Sequence, residues 1–548
     1  MEAAVPVEGG RKKWYVLAAL ALGMFMALLD ATIVNIAVPA IITDLGTSIT
    51  QVSWVLNAYN ITLVVLFLSM GRIADRYGKK RIFIAGLVVF TFFSLACGLA
   101  PSIGFLIAFR VGQAVGAAGM VPVSLAIMLG VFPRSQHGMA VGIWAALGSV
   151  AAALGPGLGG VLVTYGSWHW IFFVNVPIGI VALVAAVILV PESHGAQGTG
   201  AGVDVPGIGL SAVGIFALTL ALVQGNQWGW TSARVLGLFA LWAATLALFV
   251  VWELRTSSPM LDLRLFRIRP FTAANASMLL VGTAMGGAIF LLVIFMVTVM
   301  GYSELRAALS ITPLPLTVLV LAPFVGRRVD RVGPRAAAAV GGGFFTTGLL
   351  ALALLDATAT TGDIIWRVML IGAGIAFSMP TLMSAGMTSL PDSVRGVGSG
   401  VLNTSRQMGF VLGVAILVAI FSQTTEAAVT ASVTQAAAYV QSQSQIPASV
   451  KPQIVAGIEK TAAARAKRGV GGGGSVGDFL AGVPAPPPGS PQGQSMKSLA
   501  TTIGQIFKTN LGHAFFWPYI AAAIAALLAI VPALFTGRRL GEQLGREI

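Results

Sequence analysis

The stretch GRIADRYGKKR, residues 71–81, decides the fold because the chain contains it twice. The second copy is GRRVDRVGPRA, residues 326–336, where glycine, arginine, aspartate, arginine and glycine recur in register 255 residues later. A second pair of segments, 110–138 and 367–396, shares a leading arginine, a central proline and a Pro…Gly end, with one residue inserted. The chain therefore repeats a unit of several helices.

The segments around these motifs are apolar enough to cross a membrane. Hydrophobic residues make up 56% of the 548 residues and charged residues 9%, against roughly 25% charged residues in soluble domains. A helix needs about 20 apolar residues to cross the bilayer, where it satisfies its own backbone polar groups. We predict an all-α membrane protein with fourteen transmembrane spans. These are residues 14–40, 51–70, 82–100, 103–130, 138–164, 168–190, 206–224, 235–253, 271–300, 306–326, 336–355, 363–390, 397–422 and 513–536.

The repeat matches spans 2–5 with spans 10–13 and so predicts two parallel six-helix bundles, residues 1–190 and 254–548. Residues 191–253 form a linker and the inserted spans 7 and 8. Parallel halves of this kind place a site at their interface and rock around it. An external loop, about residues 423–510, separates spans 13 and 14. Its Ala-rich parts are predicted to be helical and its Gly/Pro-rich parts flexible or polyproline-like, so a loosely packed connector is favoured for the whole segment over a binding module.

Basic residues orient the spans. Twenty-one Lys and Arg residues flank the spans on one side, whereas the short loops of the other side hold only Arg234 and Arg306. This asymmetry predicts that both termini are cytoplasmic. It also accounts for the net charge of +14 without a nucleic-acid partner. The single cysteine, four scattered histidines and absence of a GxxxxGK[ST] loop indicate no disulfide, metal site, nucleotide cofactor or enzyme.

One carboxylate stands inside the first span, in ALLDATIVNIAVPAI, residues 27–41. A charge at the centre of a membrane helix costs about 2.5–3.5 kcal/mol, which favours a functional role for Asp30. At 1.5 Å per residue, Asp30 lies roughly 14 Å below the outer end of span 1 and Arg110 roughly 10 Å below that of span 4. The two side chains therefore lie at similar depth.

Span 5 and several polar residues complete the set of candidates. Small residues in span 5 allow a neighbouring helix to approach closely and its proline bends the helix, so we expect a tight seam between the halves. These residues are Gly148, Gly155, Pro156, Gly159 and Gly160. Polar or aromatic residues within spans are expected to line the substrate cavity, or merely to bond neighbouring helices. They are Asn57, Asn60, Gln113, Trp144, Asn403, Arg406 and Gln407.

Five segments together resemble the major facilitator superfamily, and within it the fourteen-helix drug:H+ antiporter branch of EmrB/QacA-like multidrug exporters. They are LDATIVNIAVP in span 1, GRIADRYGKKR after span 2, RVGQAVGAAG in span 4, GSVAAALGPGLGG in span 5 and WHWIFFVNVPIG at span 6. The resemblance implies a conformational latch in the loop after span 2, at Gly71, Arg72, Asp75, Arg76, Gly78, Lys79 and Arg81. Gly71 and Gly78 suit a sharp turn. Asp75 can accept hydrogen bonds from a helix N-terminus or pair with Arg76 or Arg81.

The resemblance further implies that spans 1 and 4 line the cavity, and that span 5 carries an antiporter motif. A carboxylate that moves between a dry site and an arginine changes its affinity for a proton, so Asp30 and Arg110 are the candidates for proton coupling. A permanent Asp30–Arg110 brace is the alternative. A cationic substrate and a proton would compete for Asp30, which is antiport.

These expectations combine into one function: proton-coupled efflux of hydrophobic or amphiphilic compounds by alternating access. The proton gradient supplies the energy, no cofactor is needed, and we expect a monomer in a bacterial inner membrane. The alternative is a proton-coupled uptake symporter or facilitator for a small nutrient. Spans 9 and 10 carry no acid, and the repeat counterpart of Asp30 falls near Met285. Dications therefore fit poorly, and monocations, neutral compounds or anionic amphiphiles fit better.

Overall fold

The computed structural model describes residues 11–537, except 48, 194–203, 257–258, 392–393, 444–445, 447 and 469–490. Helices make up all of the regular secondary structure in this part of the chain. Fourteen of the described segments are long and apolar enough to cross a membrane, which confirms the predicted number of spans. The two chain ends, whose side of the membrane the sequence predicts, lie outside the described residues.

The helices follow one another with short connections. They are α1 Lys12–Asp44, α2 Ile49–Tyr77, α3 Lys79–Gly98, α4 Ile103–Val131, α5 His137–Tyr165, α6 Trp170–Phe173, α7 Asn175–Leu189, α8 Val205–Trp228, α9 Ala233–Arg255, α10 Arg269–Thr298, α11 Glu304–Ile311, α12 Pro313–Val332, α13 Pro334–Ala353, α14 Thr361–Thr388, α15 Arg395–Ser442, α16 Lys451–Arg468, α17 Pro491–Ala514, α18 Phe516–Leu528 and α19 Ile530–Ala533. We call α1–α7 the N-half, α8 and α9 the insert, and α10–α19 the C-half.

Glycines allow the two halves to cross at one end of the bundle, where α2 and α12 end. A Cβ on Gly71 of α2 would overlap the carbonyl oxygen of Gly396 in α15, and a Cβ on Gly326 of α12 would overlap that of Gly138 in α5. The two crossings are related by the repeat, since 326 − 71 = 255 and 396 − 138 = 258. We call this end of the bundle the latch end.

A second glycine contact lies one turn further along each crossing. A Cβ on Gly400 of α15 would be 2.7 Å from the Phe67 carbonyl oxygen, and a Cβ on Gly142 of α5 would be 2.5 Å from that of Ala322. The same shifts of 255 and 258 relate these pairs. The repeated sequence therefore builds two equivalent backbone-to-backbone contacts, in which any side chain larger than hydrogen would push the halves apart.

The turn after α2 is made by one glycine rather than two. Gly78 and its repeat counterpart Gly333 both have positive φ, 107° and 93°, and each immediately precedes a helix. Glycine reaches this region without steric cost. Placing Gly71 in the same turn is wrong, because Gly71 lies inside α2 and is required there for the contact with α15.

The glycines of the span 5 motif pack α5 against α1. A Cβ on Gly148 would overlap the Met24 side chain, and one on Gly155 would overlap Thr32. A Cβ on Gly159 would be 2.9 Å from the Ile33 side chain, whereas one on Gly160 would meet open space. The prediction that this motif forms the seam between the halves is therefore wrong for these contacts, because α1 belongs to the same half. The Pro156 side chain lies outside the described residues.

The insert packs beside the place where the halves meet. Leu222 of α8 shares a buried cluster with Val64 of α2 and Met408 of α15. The buried Asp204 carboxylate holds the insert together at the latch end, because it accepts hydrogen bonds from the Gly207 backbone and the Trp252 indole, at 2.9 and 2.7 Å. Span 7 thus touches both halves, and span 8 packs against span 7.

The external segment is more ordered than the connector that its composition predicts. The outer part of α15 packs with α16 and α17 around a core of Ala436, Val440, Ile446, Ile454, Ile458, Leu499, Ile503 and Phe507. Asn510 of α17 also donates to Ser432 and Gln435 of α15, at 3.1 and 3.0 Å. The helical prediction is confirmed for the Ala-rich parts, and the prediction of loose packing is wrong. The Gly-rich part, 469–490, lies outside the described residues.

Candidate transport site

Asp30 lies at the centre of a buried polar network in the N-half. Its side chain is fully buried on α1. One carboxylate oxygen forms an ion pair with the Arg110 guanidinium from α4. The other accepts hydrogen bonds from the amides of Gln113 on α4 and Asn175 on α7, at 2.9 and 3.1 Å. Three donors from two other helices therefore hold one carboxylate.

Arg110 is held as firmly as its partner. Its Nε donates to the Val55 carbonyl oxygen on α2 at 3.2 Å, and its Nη1 also donates to the Gln113 side-chain oxygen at 2.7 Å. The guanidinium lies over the Tyr59 ring, 4.1 Å from its centre, and Tyr59 is fixed by a hydrogen bond to the Ala27 carbonyl oxygen. Cation–π contacts of this kind gain strength when water is excluded.

The surroundings of Asp30 fit the ionised carboxylate. An ionised carboxylate only accepts hydrogen bonds, and all its partners in the network are donors. A proton on Asp30 would cancel the negative charge that the Arg110 guanidinium balances, so the ion pair between them would weaken.

The sequence predicts that Asp30 and Arg110 share a depth, and the structure brings them into direct contact. The expectation that Asp30 lines an accessible cavity is wrong for this conformation, because partners from α4 and α7 surround it and its exposed fraction is 0%. A substrate cation cannot reach Asp30 here without first displacing Arg110. Direct competition between substrate and proton at this carboxylate therefore requires another conformation.

Sequence reasoning missed Asn175 and Tyr59. Asn175 stands in the quoted segment WHWIFFVNVPIG and is the only amide or charged side chain between Trp170 and Leu189, which could have marked it. Its amide also donates to the Ser94 hydroxyl at 3.1 Å, which links α3 to the network. Tyr59 carries no signal of its own, because an aromatic residue in an apolar span most often faces lipid or packs in the core.

Asp75 ties the N-half to the C-half at the latch end. Its carboxylate accepts hydrogen bonds from the backbone N–H groups of Gly396 and Val397, at 3.1 and 2.9 Å. These residues open α15, so the carboxylate also faces the positive end of a helix dipole. Of the two predicted alternatives, the structure shows the helix N-terminus. The cation beside Asp75 is Lys79 at 3.3 Å, whereas Arg81 pairs with Glu192 at 3.6 Å.

The two remaining basic residues of the motif stay near the same end. Arg76 lies over the ring of its neighbour Tyr77, with 5.8 Å from the guanidinium to the ring centre. Arg72 is half-buried and close enough to Glu253 of the insert to interact electrostatically. The motif thus faces α15, the linker after α7 and the insert, which places it where all three parts of the chain meet.

Hydrogen bonds join the halves at the latch end. They include the two to Asp75, Arg327 to the Met139 sulfur, Arg395 to the Leu129 carbonyl oxygen, and Ser399 to the Pro122 carbonyl oxygen. Together with the glycine crossings they describe a conformation in which the halves are closed at the latch end.

The other predicted cavity residues divide into two groups. Gln113 belongs to the Asp30 network, and Trp144 is buried with its indole donating to the Ser124 hydroxyl at 3.2 Å, so both are packed inside the N-half. Asn57 and Asn60 are half-buried on α2. On α15, Asn403 is buried and donates to the Ser399 carbonyl oxygen, while Arg406 and Gln407 are half-buried.

An open groove of about 810 Å³ lies outside these predictions, along the part of α15 that leads to the external helices. Polar side chains on one face of α15 line it, including Gln423, Glu426, Thr430 and Thr434. Sequence reasoning placed no site there, because it treated this segment as a connector.

A bundle of two repeated halves that close on each other at one end, around buried charge within the membrane, defines a membrane transporter. The sequence profile of the Major Facilitator Superfamily matches residues 20–414, and the chain belongs to this family. This agrees with the predicted resemblance. Members of the family are transporters and not enzymes.

Several bacterial relatives are similar over most of their length. The chain is 35% identical over 410 residues to the Multidrug resistance protein Stp of Mycobacterium tuberculosis (strain CDC 1551 / Oshkosh), covering 74% of this chain and 75% of the relative. It is 30% identical over 532 residues to the Tetracenomycin C resistance and export protein of Streptomyces glaucescens, covering 97% and 93%. It is 33% identical to the Methylenomycin A resistance protein of Streptomyces coelicolor, covering 74% and 86%.

A solved structure shares the fold. The human organic anion transporter MFSD10 matches 74% of this chain and 93% of its own, with a TM-score of 0.53 and 14% identity. This likeness concerns the fold alone.

Proposed function

We propose that the protein exports hydrophobic or amphiphilic compounds, such as drugs, dyes and antibiotics, in exchange for protons. The observation that supports this most is the Asp30 network, in which a buried carboxylate balances the buried Arg110 guanidinium and would lose its charge on protonation. Resistance and export proteins among the relatives support the substrate class.

In the proposed cycle the two halves rock against each other, and the contacts at the latch end break and re-form. Protonation of Asp30 frees Arg110 or Asn175, which loosens the contacts among α1, α4 and α7. The contacts of Asp75 and the glycine crossings oppose this rearrangement, because they hold the halves closed at the latch end. A proton that crosses 100 mV releases about 2.3 kcal/mol, which suffices for tens-fold accumulation of a substrate per proton.

Orientation follows from the charge asymmetry. We place the latch end and both termini in the cytoplasm of a bacterial cell, and the protein as a monomer in the inner membrane. The conformation with a closed latch end is then open toward the outside. A proton-coupled uptake symporter or facilitator is the second candidate, and the direction of transport separates the two.

The test uses inverted membrane vesicles with an imposed pH gradient, acidic inside. Two dyes report transport: rhodamine 123, a cation, and fluorescein, an anion with the same xanthene core. We expect the vesicles to accumulate at least one dye, and an uncoupler to abolish the accumulation. Vesicles that instead lose dye faster than protein-free controls would favour the uptake symporter.

The matched control for Asp30 is Asp44, at the other end of the same helix, where its carboxylate accepts only a hydrogen bond from the Trp168 indole at 2.8 Å. Asp30→Asn should abolish gradient-driven accumulation, whereas Asp44→Asn should retain most of it. Equal activity of both variants would leave Asp30 as a structural brace and contradict the proposed coupling.

A further inference from the structure

A polar stripe on α15 faces the N-half. Ser399, Asn403, Arg406 and Phe410 are spaced at i, i+4, i+7 and i+11, so their side chains share one face of the helix. The Ser399 hydroxyl donates to the Pro122 carbonyl oxygen of α4 at 2.7 Å, which fixes the direction of this face. The stripe therefore runs along the interface between the halves.

Burial decreases along this stripe with distance from the latch end. Ser399 and Asn403 are fully buried, Arg406 is half-buried, and Phe410 is 36% exposed. At 1.5 Å per residue, Arg406 lies about 10 Å beyond Ser399 and about 16 Å from the start of α15, close to the middle of a 30 Å hydrocarbon layer. Burial of this face thus falls between Asn403 and Phe410, and Arg406 lies where it falls.

Polar atoms at this level have no partner. The Nε atom of Arg406 and the Oδ1 atom of Asn403 are buried and make no hydrogen bond. No carboxylate of the described residues lies within salt-bridge distance of Arg406. The cause is visible in the sequence, because no Asp or Glu occurs in residues 271–300, 306–326, 336–355, 366–390, 397–422 or 513–536. An unpaired guanidinium in such surroundings is costly.

The other arginines deep in the spans are compensated. Arg110 pairs with Asp30. Arg367 donates to the Ala351 carbonyl oxygen at 2.9 Å and pairs with Asp363 at 3.4 Å. Arg406 is therefore a charge for which the C-half provides no counter-charge, and the only carboxylate of the N-half at membrane depth is already occupied by Arg110.

We propose that Arg406 binds the acidic group of the transported compound. This inference rests on the proposed export function and narrows its substrate class to hydrophobic organic acids, in which a carboxylate or an ionised phenol accompanies an apolar body. A planar guanidinium matches such oxygens with two parallel hydrogen bonds. Phe410, one turn further along the same face, offers an apolar surface to the rest of the molecule.

The test compares the two dyes of opposite charge in purified protein. Fluorescence polarisation measures the affinity for fluorescein and for rhodamine 123 in neutral detergent, and inverted vesicles measure their transport. The variants are Arg406→Gln, which removes the charge, and Arg406→Lys, which keeps it. Arg306→Gln is the matched control, because it removes one exposed arginine of the same half.

We expect wild type to bind fluorescein more tightly than rhodamine 123. Arg406→Gln should weaken fluorescein binding and transport about tenfold or more while leaving rhodamine 123 unchanged or improved. Arg406→Lys should keep a larger part of the fluorescein affinity than Arg406→Gln, and Arg306→Gln should behave like wild type. A wild type that binds no fluorescein, or an equal loss for both dyes in Arg406→Gln, would overturn the assignment.

Failure of the proposed coupling would look different. If both dyes moved without regard to the pH gradient, proton coupling would be refuted, whereas the Arg406-dependent preference for fluorescein would still support the anion site. If the gradient drove transport but the charge preference did not depend on Arg406, the anion site alone would be refuted.

Discussion

Arg110 and Arg367 open the same repeated segment in the two halves, 257 residues apart, yet they have different partners. Arg110 is fully buried and pairs with Asp30 from another helix. Arg367 is partly exposed, pairs with Asp363 of its own helix and caps the end of α13 through the Ala351 carbonyl oxygen. One copy became part of an interhelical polar network, and the other became a local brace.

The contacts at the latch end changed much less. Gly71 and Gly326 face equivalent carbonyl oxygens, and Gly400 and Gly142 repeat the contact one turn further along. Backbone contacts as close as these tolerate no side chain, and both halves have glycine at these positions. Membrane-embedded charges depend on a partner elsewhere in the bundle, and here the two halves provide different partners. The two halves therefore share the backbone contacts that close the latch end, whereas their membrane-embedded arginines have different partners.

The largest effect is expected at the Asp30 pair. Asp30→Asn leaves the buried Arg110 guanidinium without its counter-charge, and breaking a buried pair in this way costs about 3–5 kcal/mol. We expect thermal unfolding in detergent at a clearly lower temperature, together with loss of dye transport. Arg110→Gln should be comparably damaging.

The matched change in the other half should be milder. Arg367→Gln removes one short-range ion pair and hydrogen bonds to carbonyl oxygens, worth about 1–3 kcal/mol in all. Gradient-driven dye accumulation should stay within about twofold of wild type. Complete loss of transport in Arg367→Gln would show that Arg367 is as important for transport as Arg110. It would contradict the view that the arginines of the two halves have different roles.

Alanine substitutions at the two glycine crossings should have the same effect on the latch end. A Cβ on Gly71 or Gly326 would overlap a backbone carbonyl oxygen that cannot move aside, so each alanine substitution should open the latch end. Opening can be followed through Ser399→Cys in a Cys97→Ser background, with a maleimide reagent that cannot cross the membrane. We expect labelling about tenfold faster or more, which corresponds to about 1.4 kcal/mol.

Gly343→Ala serves as the control for these variants, since a Cβ there would meet nothing within 4 Å. If Gly71→Ala accelerated labelling and Gly326→Ala did not, only one crossing would carry the closed state, and the equivalence of the halves would be refuted.

Asp75 should contribute less than the backbone crossings. Asp75→Asn keeps an acceptor but loses the charge that faces the N-terminus of α15, and hydrogen bonds to charged groups are worth about 1.5–3 kcal/mol. Labelling at Ser399→Cys should rise, and Asp75→Glu should restore part of the protection. Unchanged labelling in Asp75→Asn would mean that the glycines alone hold the latch end closed.

The smallest effects are expected in the α5 motif and the external helices. Gly155→Ala must displace Thr32 of α1 and should cost about 1–3 kcal/mol by overpacking, whereas Gly160→Ala has open space and should be neutral.

Ile458→Asp should unfold the external core, measured as faster proteolysis of that segment, with dye transport retained. Loss of transport in Ile458→Asp would assign the external helices a role in the cycle.

Much of this architecture follows from the sequence, for identifiable reasons. Apolar runs of fixed length reveal spans, and a loop that occurs twice reveals the halves, so the count of fourteen and the Asp30–Arg110 depth match were within reach. Which side chains contact one another could not be predicted, because this depends on how each helix is rotated about its own axis. This is why Asn175 and Tyr59 were missed and why the α5 glycines were assigned to the wrong neighbour. Composition also concealed the external core, since its large apolar side chains are scattered among many Ala and polar residues.

The proposed exchange of substrate for protons requires that protonation of Asp30 and binding of substrate exclude each other, even where the two do not occupy the same atoms. The direct measurement is proton release by purified protein in weakly buffered detergent solution when fluorescein or rhodamine 123 is added. Wild type should release protons on binding a dye, and Asp30→Asn should bind the dye without releasing them. Proton release by Asp30→Asn equal to that of wild type would contradict the account.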